Sequence, residues 1–567
     1  MILEWYMVVV LMVGVSAATT TGNGTPLRVR LKPISQLTQE DMDKARQVPA
    51  TPPLATSTYH LTRLLQEEDT AVERLRLMAG VLLQAHRVIS KYLSSWEELV
   101  AAGARSKGFA HHPIHAYALT KHLSLGWPHL EEAMHQLRGL SHHTEWMLER
   151  RVRSGVPTSE DLGVVSGGLA RLHDFYTFNL TTMALHASLT SCLSPQPLPT
   201  HLVLTARDLH RIGSHAANIN IWNSSVDFMR AALRHWKGND TNARGRDHFD
   251  NHINLPEVER SLKKAIKMHD QVLERKGRRS KSHSTHFLPF NATLARKRKY
   301  HRHQEVVMGQ VGSSQQGLEQ YVRLCRGEDI RTANITSRLY CRYVSNNSPL
   351  YVIGPLRMEV HSLRPYVVSV AGVVSRGEAR EVREVATTYL DHSSTVKYNG
   401  DQEIGHLRTS STAWLWEHDS HHLPHLTYRI QQLLGVNAEQ HYGSEAYQVV
   451  NYGVGGHYSV HHDTLTSTKH LQYHRLATFL VYLSDVKQGG RTVFPWMGVG
   501  VAPKQGSALV WYNLDHAGVR DQLLEHAACP VLLGDKWVIN KWVLYSGQMH
   551  KVPCLQDRHA HINRPLA

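Results

Sequence analysis

The run Asn451-Tyr452-Gly453-Val454-Gly455-Gly456-His457-Tyr458-Ser459-Val460-His461-His462-Asp463 couples a glycine-rich turn to an extended segment that carries metal-ligand residues. On an extended segment residues two apart project from the same face. His461 and Asp463 can therefore reach one ion, while His462 points away. His457 and His462 otherwise read as surface side chains. A second imidazole would complete a face of two histidines and one carboxylate, which leaves coordination positions open. The candidate is His526, in His526-Ala527-Ala528-Cys529-Pro530-Val531. Ten residues on, Lys536 follows a Gly534-Asp535 turn, and a two-strand hairpin would return it near His526.

That donor set suits iron(II), with room for dioxygen and a bidentate 2-oxo acid. A lysine near it can bind the distal carboxylate of 2-oxoglutarate by a charge-assisted hydrogen bond. Losing such a contact costs about 2–5 kcal/mol by analogy with buried interfacial charge pairs.

Outward from this centre the texture is that of short strands. Val367–Val374, Tyr447–Tyr452, Leu476–Leu483, Ser507–Tyr512 and Trp537–Leu544 are apolar and separated by Gly, Asp and Pro turns. With no helices read between them, they argue for an antiparallel sandwich or barrel. The first half has a different texture. Leu61, Leu64, Leu65, Val72, Leu75, Leu82, Val88, Ile89 and Leu93 recur at helical spacing. That pattern fits either a helical hairpin or a self-associating helix. After a break at Gly103–Pro113 another helix runs through Leu123, Trp127 and Leu137. Thr158 with Asp161 resembles a capped helix start, and Leu204–Leu233 reads as two helices parted near Asn218–Asn223. Lys276–Gln304, rich in Lys, Arg, His and Ser, reads as an exposed connection.

The 567 residues suggest three or four domains. The net charge of +15 with neutral histidine invites a nucleic-acid reading, but the charge gathers partly in that one stretch and no basic-aromatic module accompanies it. No nucleic-acid partner is expected. Trp5–Val15 followed by Ser16, Ala17 and Ala18 is too short to span a bilayer and fits a signal peptide. No membrane span is expected. Asn-x-Ser/Thr acceptors begin at Asn23, Asn179, Asn223, Asn239, Asn291, Asn334 and Asn346, in keeping with a lumenal or secreted chain. Five cysteines fall at 192, 325, 341, 529 and 554. In an oxidising lumen four would pair, and neighbours in sequence suggest Cys325–Cys341 and Cys529–Cys554.

These residues resemble the α subunits of collagen prolyl 4-hydroxylases. Asn451–Asp463 is similar to that family's NYGxGGxYxxHxD, Gly489–Pro495 to its GGxTVFP, and His526–Trp542 to its HAACPVLxGxKWVxNKW. Arg475–Thr478, Tyr482–Val486, Trp511–Leu514, Arg408–Ser410 and Ala413–Leu415 also fit. Gly108-Phe109 and His112–Trp127 are similar to the family's dimerisation region, and Leu204–Leu233 to its peptide-binding domain. The resemblance implies an α+β multidomain chain: a helical N-terminal half and a C-terminal double-stranded β-helix (jelly-roll) dioxygenase domain. The expected division is 1–18 signal peptide, 19–150 helical dimerisation domain, 151–240 helical, tetratricopeptide-like substrate domain, 241–310 basic His-rich linker and 311–567 catalytic domain. It implies 4-hydroxylation of proline in X-Pro-Gly, collagen-like peptides with Fe(II), 2-oxoglutarate, O2 and ascorbate. It also implies residence in the endoplasmic reticulum lumen, as an α2β2 tetramer whose β subunit is protein disulfide isomerase.

Carried over, the metal ligands are His461, Asp463 and His526. Lys536, Tyr452 and Thr492 bind the co-substrate, and Arg475 and Trp542 lie near the peptide proline. Trp542 reads equally as core, Arg475 as a structural ion-pair partner, and Tyr452 as a buried sheet tyrosine. The resemblance also places disulfides at the two pairings named above. Leu544 stands where the family carries a histidine near the co-substrate. In the tyrosine-rich peptide groove Tyr176 matches, but Ala217 and Asn223 replace tyrosines and Trp222 stands for another. These departures keep two other functions open: a 2-oxoglutarate hydroxylase acting on another peptide, and a non-catalytic subunit that binds peptide or partner.

Overall fold

The computed structural model describes residues 58–79, 86–136, 156–185, 188–200, 202–237, 254–279, 315–345, 348–393, 395–396, 402–403, 407–464, 474–515, 518–548 and 550–551. The signal-like run, residues 280–304, Cys554, Leu82, Leu137 and the acceptors Asn23, Asn239, Asn291 and Asn346 lie outside them. Among the described residues no helix is long and apolar enough to cross a membrane.

The first half is helical. α1 (Thr58–Ala79), α2 (His86–Ala101) and α3 (Pro113–Gln136) bury the leucines picked out by their spacing, with Leu61, Leu75 and Ile89 at 0–1 % exposure. α4 (Ser159–Tyr176) starts on Thr158, whose hydroxyl accepts from the Asp161 N–H while the Asp161 carboxylate accepts from the Thr158 N–H. α5 (Ala206–Asn218) repeats this capping with Thr205 and Asp208, and α6 (Trp222–Lys237) returns against it. The span read as a linker contains α7 (Leu255–Arg279). Leu262, Ala265 and Ile266 of α7 pack on Val226 and Met229 of α6. Its dense charge hid an amphipathic helix whose apolar face keeps a 3.6-residue period.

The described residues of the second half form two larger antiparallel sheets and two two-stranded ones. The larger comprises β1 (Cys341–Val344), β2 (Leu356–Leu363), β3 (Tyr366–Ala371), β4 (Asp391–His392), β6 (Ser411–Leu415), β7 (Tyr447–Tyr452), β9 (Arg475–Tyr482), β12 (Ala508–Tyr512) and β14 (Lys536–Leu544). Its order is β1-β2-β3-β12-β9-β14-β7-β6-β4. The smaller, ordered β11-β10-β13-β8-β5, comprises β5 (Arg408–Thr409), β8 (His457–His461), β10 (Thr492–Phe494), β11 (Val499–Val501) and β13 (His526–Ala528). Helices interrupt the strands, against expectation, the longest being α9 (Arg376–Thr387) and α10 (His422–Leu434). They cover one face of the large sheet, where Ala379, Val382, Leu423, Leu426 and Ile430 pack with Val449, Phe479, Val510 and Ile539. The opposite face carries Tyr452, Tyr482, Trp511 and Val538 and meets Phe494, Val499 and Ala528 of the small sheet. Alternation along each strand thus gives one face to the helices and the other to the space between the sheets.

Helical and catalytic halves share one continuous core, running from Leu61 through Phe175 and Tyr321 to Val454, Val493 and Leu532. At its centre α4 crosses the glycine turn Gly453–Gly456. A Cβ on Gly168 would lie 2.7 Å from the Val454 carbonyl oxygen, and one on Gly455 (φ +63°) 2.5 Å from that of Gly168. Only glycine permits this approach. Arg171, 2 % exposed, donates to the Gly455 carbonyl at 2.7 Å, and the Tyr176 hydroxyl to that of Pro530 at 2.7 Å. Further along, the Gly534 N–H donates to the His111 carbonyl at 2.9 Å.

Three sequence expectations give way. Cys325, at the end of α8 (Gln315–Cys325), is bonded to Cys529, while Cys341 is unpaired and exposed on an edge strand. The fold folds distant segments together, so adjacency along the chain does not predict the pairing. Asn223 is 7 % exposed and hydrogen-bonded to His269 Nε2 at 2.8 Å, which removes it as a glycan acceptor; Asn179 and Asn334 are exposed. Tyr176 lines no open groove, being fully buried with its hydroxyl on Pro530.

Gly168→Val is expected to force α4 off the glycine turn and lower stability by about 1–3 kcal/mol, as overpacking does. A urea midpoint equal to that of the parent chain would show that α4 does not press on this loop.

Candidate active site

The metal-ligand candidates meet because of strand register. β8 pairs with β13 so that His461 stands directly opposite His526, and Asp463 follows two residues beyond β8. Donor atoms of His461, Asp463 and His526 all lie within 4.8 Å of one another. His461 Nε2 is 3.7 Å from Asp463 Oδ1, and His526 Nε2 is 3.7 Å from Oδ2. Each ring points Nε2 inward because its Nδ1 is used elsewhere: His461 donates from it to the Ser459 carbonyl at 2.8 Å, and His526 to that of Leu524 at 3.0 Å. Such outer hydrogen bonds fix tautomer and ring orientation in metal sites. Burial, helped by His526, pushes the His461 imidazole well below its ordinary value and keeps it neutral, the form that ligates.

Asp463 is oriented by a chain of donors. Burial alone would raise its carboxyl. His526, His461, Arg475 and the Thr478 hydroxyl outweigh that effect and hold it below the usual carboxylate range. Thr478 donates to Oδ2 at 2.6 Å and accepts from Asn513 Nδ2 at 3.0 Å; Asn513 Oδ1 accepts from Trp511 Nε1 at 2.8 Å. Sequence reasoning assigned none of these three a role. The available signal was Thr478, a small hydroxyl in the otherwise apolar run Leu476–Val481 of a central strand. A buried hydroxyl there needs a partner.

Lys536 does not arrive by a hairpin with His526. The two lie in different sheets, and Lys536 pairs across β7 with Tyr452. Its amine is 1 % exposed and donates to Thr492 Oγ1 at 3.3 Å, with the Tyr452 and Tyr482 rings at 5.4 and 5.7 Å. Among the described residues no carboxylate pairs with it, and burial alone lowers it to about 7. Tyr482 also donates to Thr492 Oγ1, at 2.9 Å. With two donors filling its lone pairs, the Thr492 hydroxyl keeps its proton for a further acceptor. Lys536 and Thr492 therefore form a donor-only pocket suited to an anion. Burial raises Tyr452 to about 12, so it stays a neutral phenol.

Arg475 grips Glu445 with Nε at 2.5 Å and Nη2 at 2.8 Å, donates from Nη1 to the Asp463 carbonyl at 3.2 Å, and lies 3.5 Å over the Trp542 ring. The ion-pair reading holds for it, and the side chain lies beside Asp463. Trp542 is 5 % exposed, with its ring 6.0 Å from that of Trp414, itself 46 % exposed. Leu544 is buried opposite Arg475. His457 is fully buried, not superficial. His462, half-buried, turns to the Asp521 carbonyl at 3.0 Å and accepts from the Thr464 N–H.

Binding a carboxylate at Lys536 requires the charged amine. Above about pH 7, affinity for 2-oxoglutarate should fall by up to about tenfold per pH unit, because the ligand must restore a lost proton. Below that pH this group should contribute no slope. Titration calorimetry across that range checks it. Lys536→Arg, charged throughout, should bind more weakly and lose the slope; a slope unchanged in that variant would assign it to another group.

A family model for the prolyl 4-hydroxylase alpha-subunit N-terminal region matches residues 57–187, and one for the 2OG-Fe(II) oxygenase superfamily matches 447–544. Prolyl 4-hydroxylase subunit alpha-3 of Homo sapiens is 32 % identical over 476 residues, 78 % of this chain and 83 % of that one. Subunit alpha-2 of Gallus gallus is 30 % identical over 526 residues, 88 % and 94 % of the two chains. Subunit alpha-1 of the same species is 28 % identical over 519 residues, 88 % and 98 %. The helical half, the jelly roll and the site they enclose make this chain a member of the prolyl 4-hydroxylase alpha-subunit family, dependent on Fe(II) and 2-oxoglutarate.

Proposed function

We propose that the chain hydroxylates C4 of proline in proline-rich, collagen-like peptides, with His461, Asp463 and His526 holding Fe(II) and Lys536 and Thr492 holding the distal carboxylate of 2-oxoglutarate. The observation that carries this reading is the convergence of His461, Asp463 and His526 together with a buried lysine that meets no carboxylate among the described residues. When bound, the metal would supply activation of O2, the oxidant, with 2-oxoglutarate as the electron-donating co-substrate that loses CO2 and ascorbate keeping the metal reduced. The chain itself contributes placement. Thr478 keeps Asp463 ionised and directed at the cation, and the backbone carbonyls of Ser459 and Leu524 hold both imidazoles in one tautomer. Tyr452 closes the co-substrate pocket as an apolar wall with a neutral hydroxyl. Burial by the two sheets excludes water from that pocket.

On the substrate side, the Arg475–Trp542 stack, stiffened by Glu445, offers a flat surface beside Asp463, and Trp414 extends it to solvent. Polyproline-II peptides dock on such aromatic surfaces. One set of observations favours a different peptide within the same chemistry. The positions expected to line a tyrosine groove in the helical half hold a buried Trp222, a buried Asn223 and Ala217, and Leu544 supplies no polar group at its site. Recognition would then rest more on the catalytic mouth than on the helical half.

The same reading places the chain in the endoplasmic reticulum lumen, assembled with a protein disulfide isomerase β subunit as an α2β2 tetramer. It is supported by the signal-like Trp5–Ala18 and by a buried Cys325–Cys529 bond, which belongs to an oxidising compartment.

The test is release of CO2 from labelled 2-oxoglutarate by the chain co-expressed with the isomerase, with and without a (Pro-Pro-Gly)-type peptide. Peptide-stimulated release, abolished in His461→Ala, is expected. Turnover that no such peptide stimulates would favour another peptide target, and no turnover with iron bound would favour a non-catalytic subunit. Trp414→Ala should raise KM for the peptide about tenfold, in line with the loss of an aromatic anchor, and leave KM for 2-oxoglutarate unchanged.

A further inference from the structure

We propose that Glu381, His421 and His422 form a second metal site, selective for a borderline divalent cation of the zinc type, that staples α9 to the start of α10. Their donor atoms lie within 4.8 Å of one another, as those of the iron triad do. The Glu381 carboxylate is addressed on both oxygens: His421 Nδ1 lies 3.1 Å from Oε1 and His422 Nε2 lies 2.8 Å from Oε2. Neighbouring residues inside a helix diverge by about 100°, which separates their side chains. His421 occupies the N-cap position of α10, its side chain makes no capping hydrogen bond, and the two rings come to 3.8 Å between centroids.

Two imidazoles and a carboxylate suit zinc, which binds them at about 2.0–2.2 Å. Tetrahedral ligands at that range stand about 3.3–3.5 Å apart. The observed separations of 3.1 and 2.8 Å need to open by about 0.2–0.7 Å to reach that range. Exposure of 67 % at His421 and 41 % at Glu381 lets the side chains adjust and leaves water access to the fourth position. His422, at 20 %, anchors the site in the surface.

The site is separate from the iron triad. α9 and α10 cover the face of the large sheet opposite the one that looks onto His526 and Lys536. A cation here crosslinks two helices that otherwise meet through apolar packing and the Arg429–Glu378 ion pair at 2.7 Å. It would act on stability, because a ligand that binds only the folded chain shifts unfolding by mass action. It would also take up two of the chain's 41 histidines.

The experiment is zinc titration of the full-length chain, co-expressed with its isomerase partner and stripped with chelator. The His461→Ala background disables the iron triad. Calorimetry should detect a zinc site whose occupancy raises Tm. Glu381→Gln and His422→Ala should each weaken it about tenfold or more and abolish the rise in Tm. Cobalt(II) should give an intense tetrahedral-type visible band in the parent and lose it in both variants. If His422→Ala fails to fold, the exposed His421→Gln takes its place. Zinc affinity, Tm shift and cobalt spectrum unchanged in Glu381→Gln would overturn the proposal, the metal then being held adventitiously by other histidines.

Discussion

The register between β8 and β13 is the constraint on which the catalytic centre depends. Opposing His461 and His526 across one antiparallel pair fixes the distance between two imidazoles by backbone hydrogen bonds rather than by side-chain choice. A slip of one residue would turn the shifted strand's ring to the other face, and Val460 or Ala527, which belong to the core shared with the helices, would turn away from that core with it. Apolar burial on one face of the pair therefore protects metal geometry on the other. Asp463 completes the set from just past the strand, where the chain no longer has a ladder to hold it. Thr478 supplies the missing restraint from the facing sheet.

The helical half contributes to the same geometry. Its contacts do not fall at random on the jelly roll. Arg171 reaches the Gly455 carbonyl, Tyr176 that of Pro530, and His111 the Gly534 amide. These positions flank the Tyr452–Lys536 strand pair, which forms the wall of the co-substrate pocket. Arg171 is buried without a recorded carboxylate partner among the described residues, and burial lowers it to about 10. A charge left so costly is tolerated only where its hydrogen bond holds something in place. The glycines of the turn serve two needs at once: backbone freedom at Gly455, and close approach of a helix whose own Gly168 has no side chain.

Much of the centre was legible because period-2 alternation is a local rule. His461 and Asp463 could be placed on one face from their spacing alone, and the helical spacing of Leu61, Leu75 and Ile89 marked a core in the same way. What failed was non-local. The Cys325–Cys529 bond joins segments 204 residues apart, and no local pattern encodes it. The route of Lys536 to the site was misread for the same reason, since its partner strand is β7, not the neighbouring β13. α7 was hidden differently: its charges outnumber its apolar residues, so composition suggested a linker where periodicity still showed a face for α6. Asn223 looked like a surface acceptor because a tripeptide carries no information about burial.

The departures from the family pattern follow a common direction. Leu544 replaces a polar side chain by an apolar one beside Arg475, and Arg475 is already saturated by Glu445 and stacked on Trp542. Nothing at that corner needs a second polar partner, so a buried leucine costs no hydrogen bond there. In the helical half, Trp222 and Asn223 are buried, and the Asn223 side-chain oxygen is bonded to His269. Chemistry and recognition are thus separable in this chain. The metal triad and the Lys536–Thr492 pocket are both assembled, while Tyr176, Trp222 and Asn223 of the helical half are buried. A chain altered in this way would be expected to keep its reaction and change its preference among proline-containing targets, because differential binding sets specificity independently of the groups that carry the chemistry.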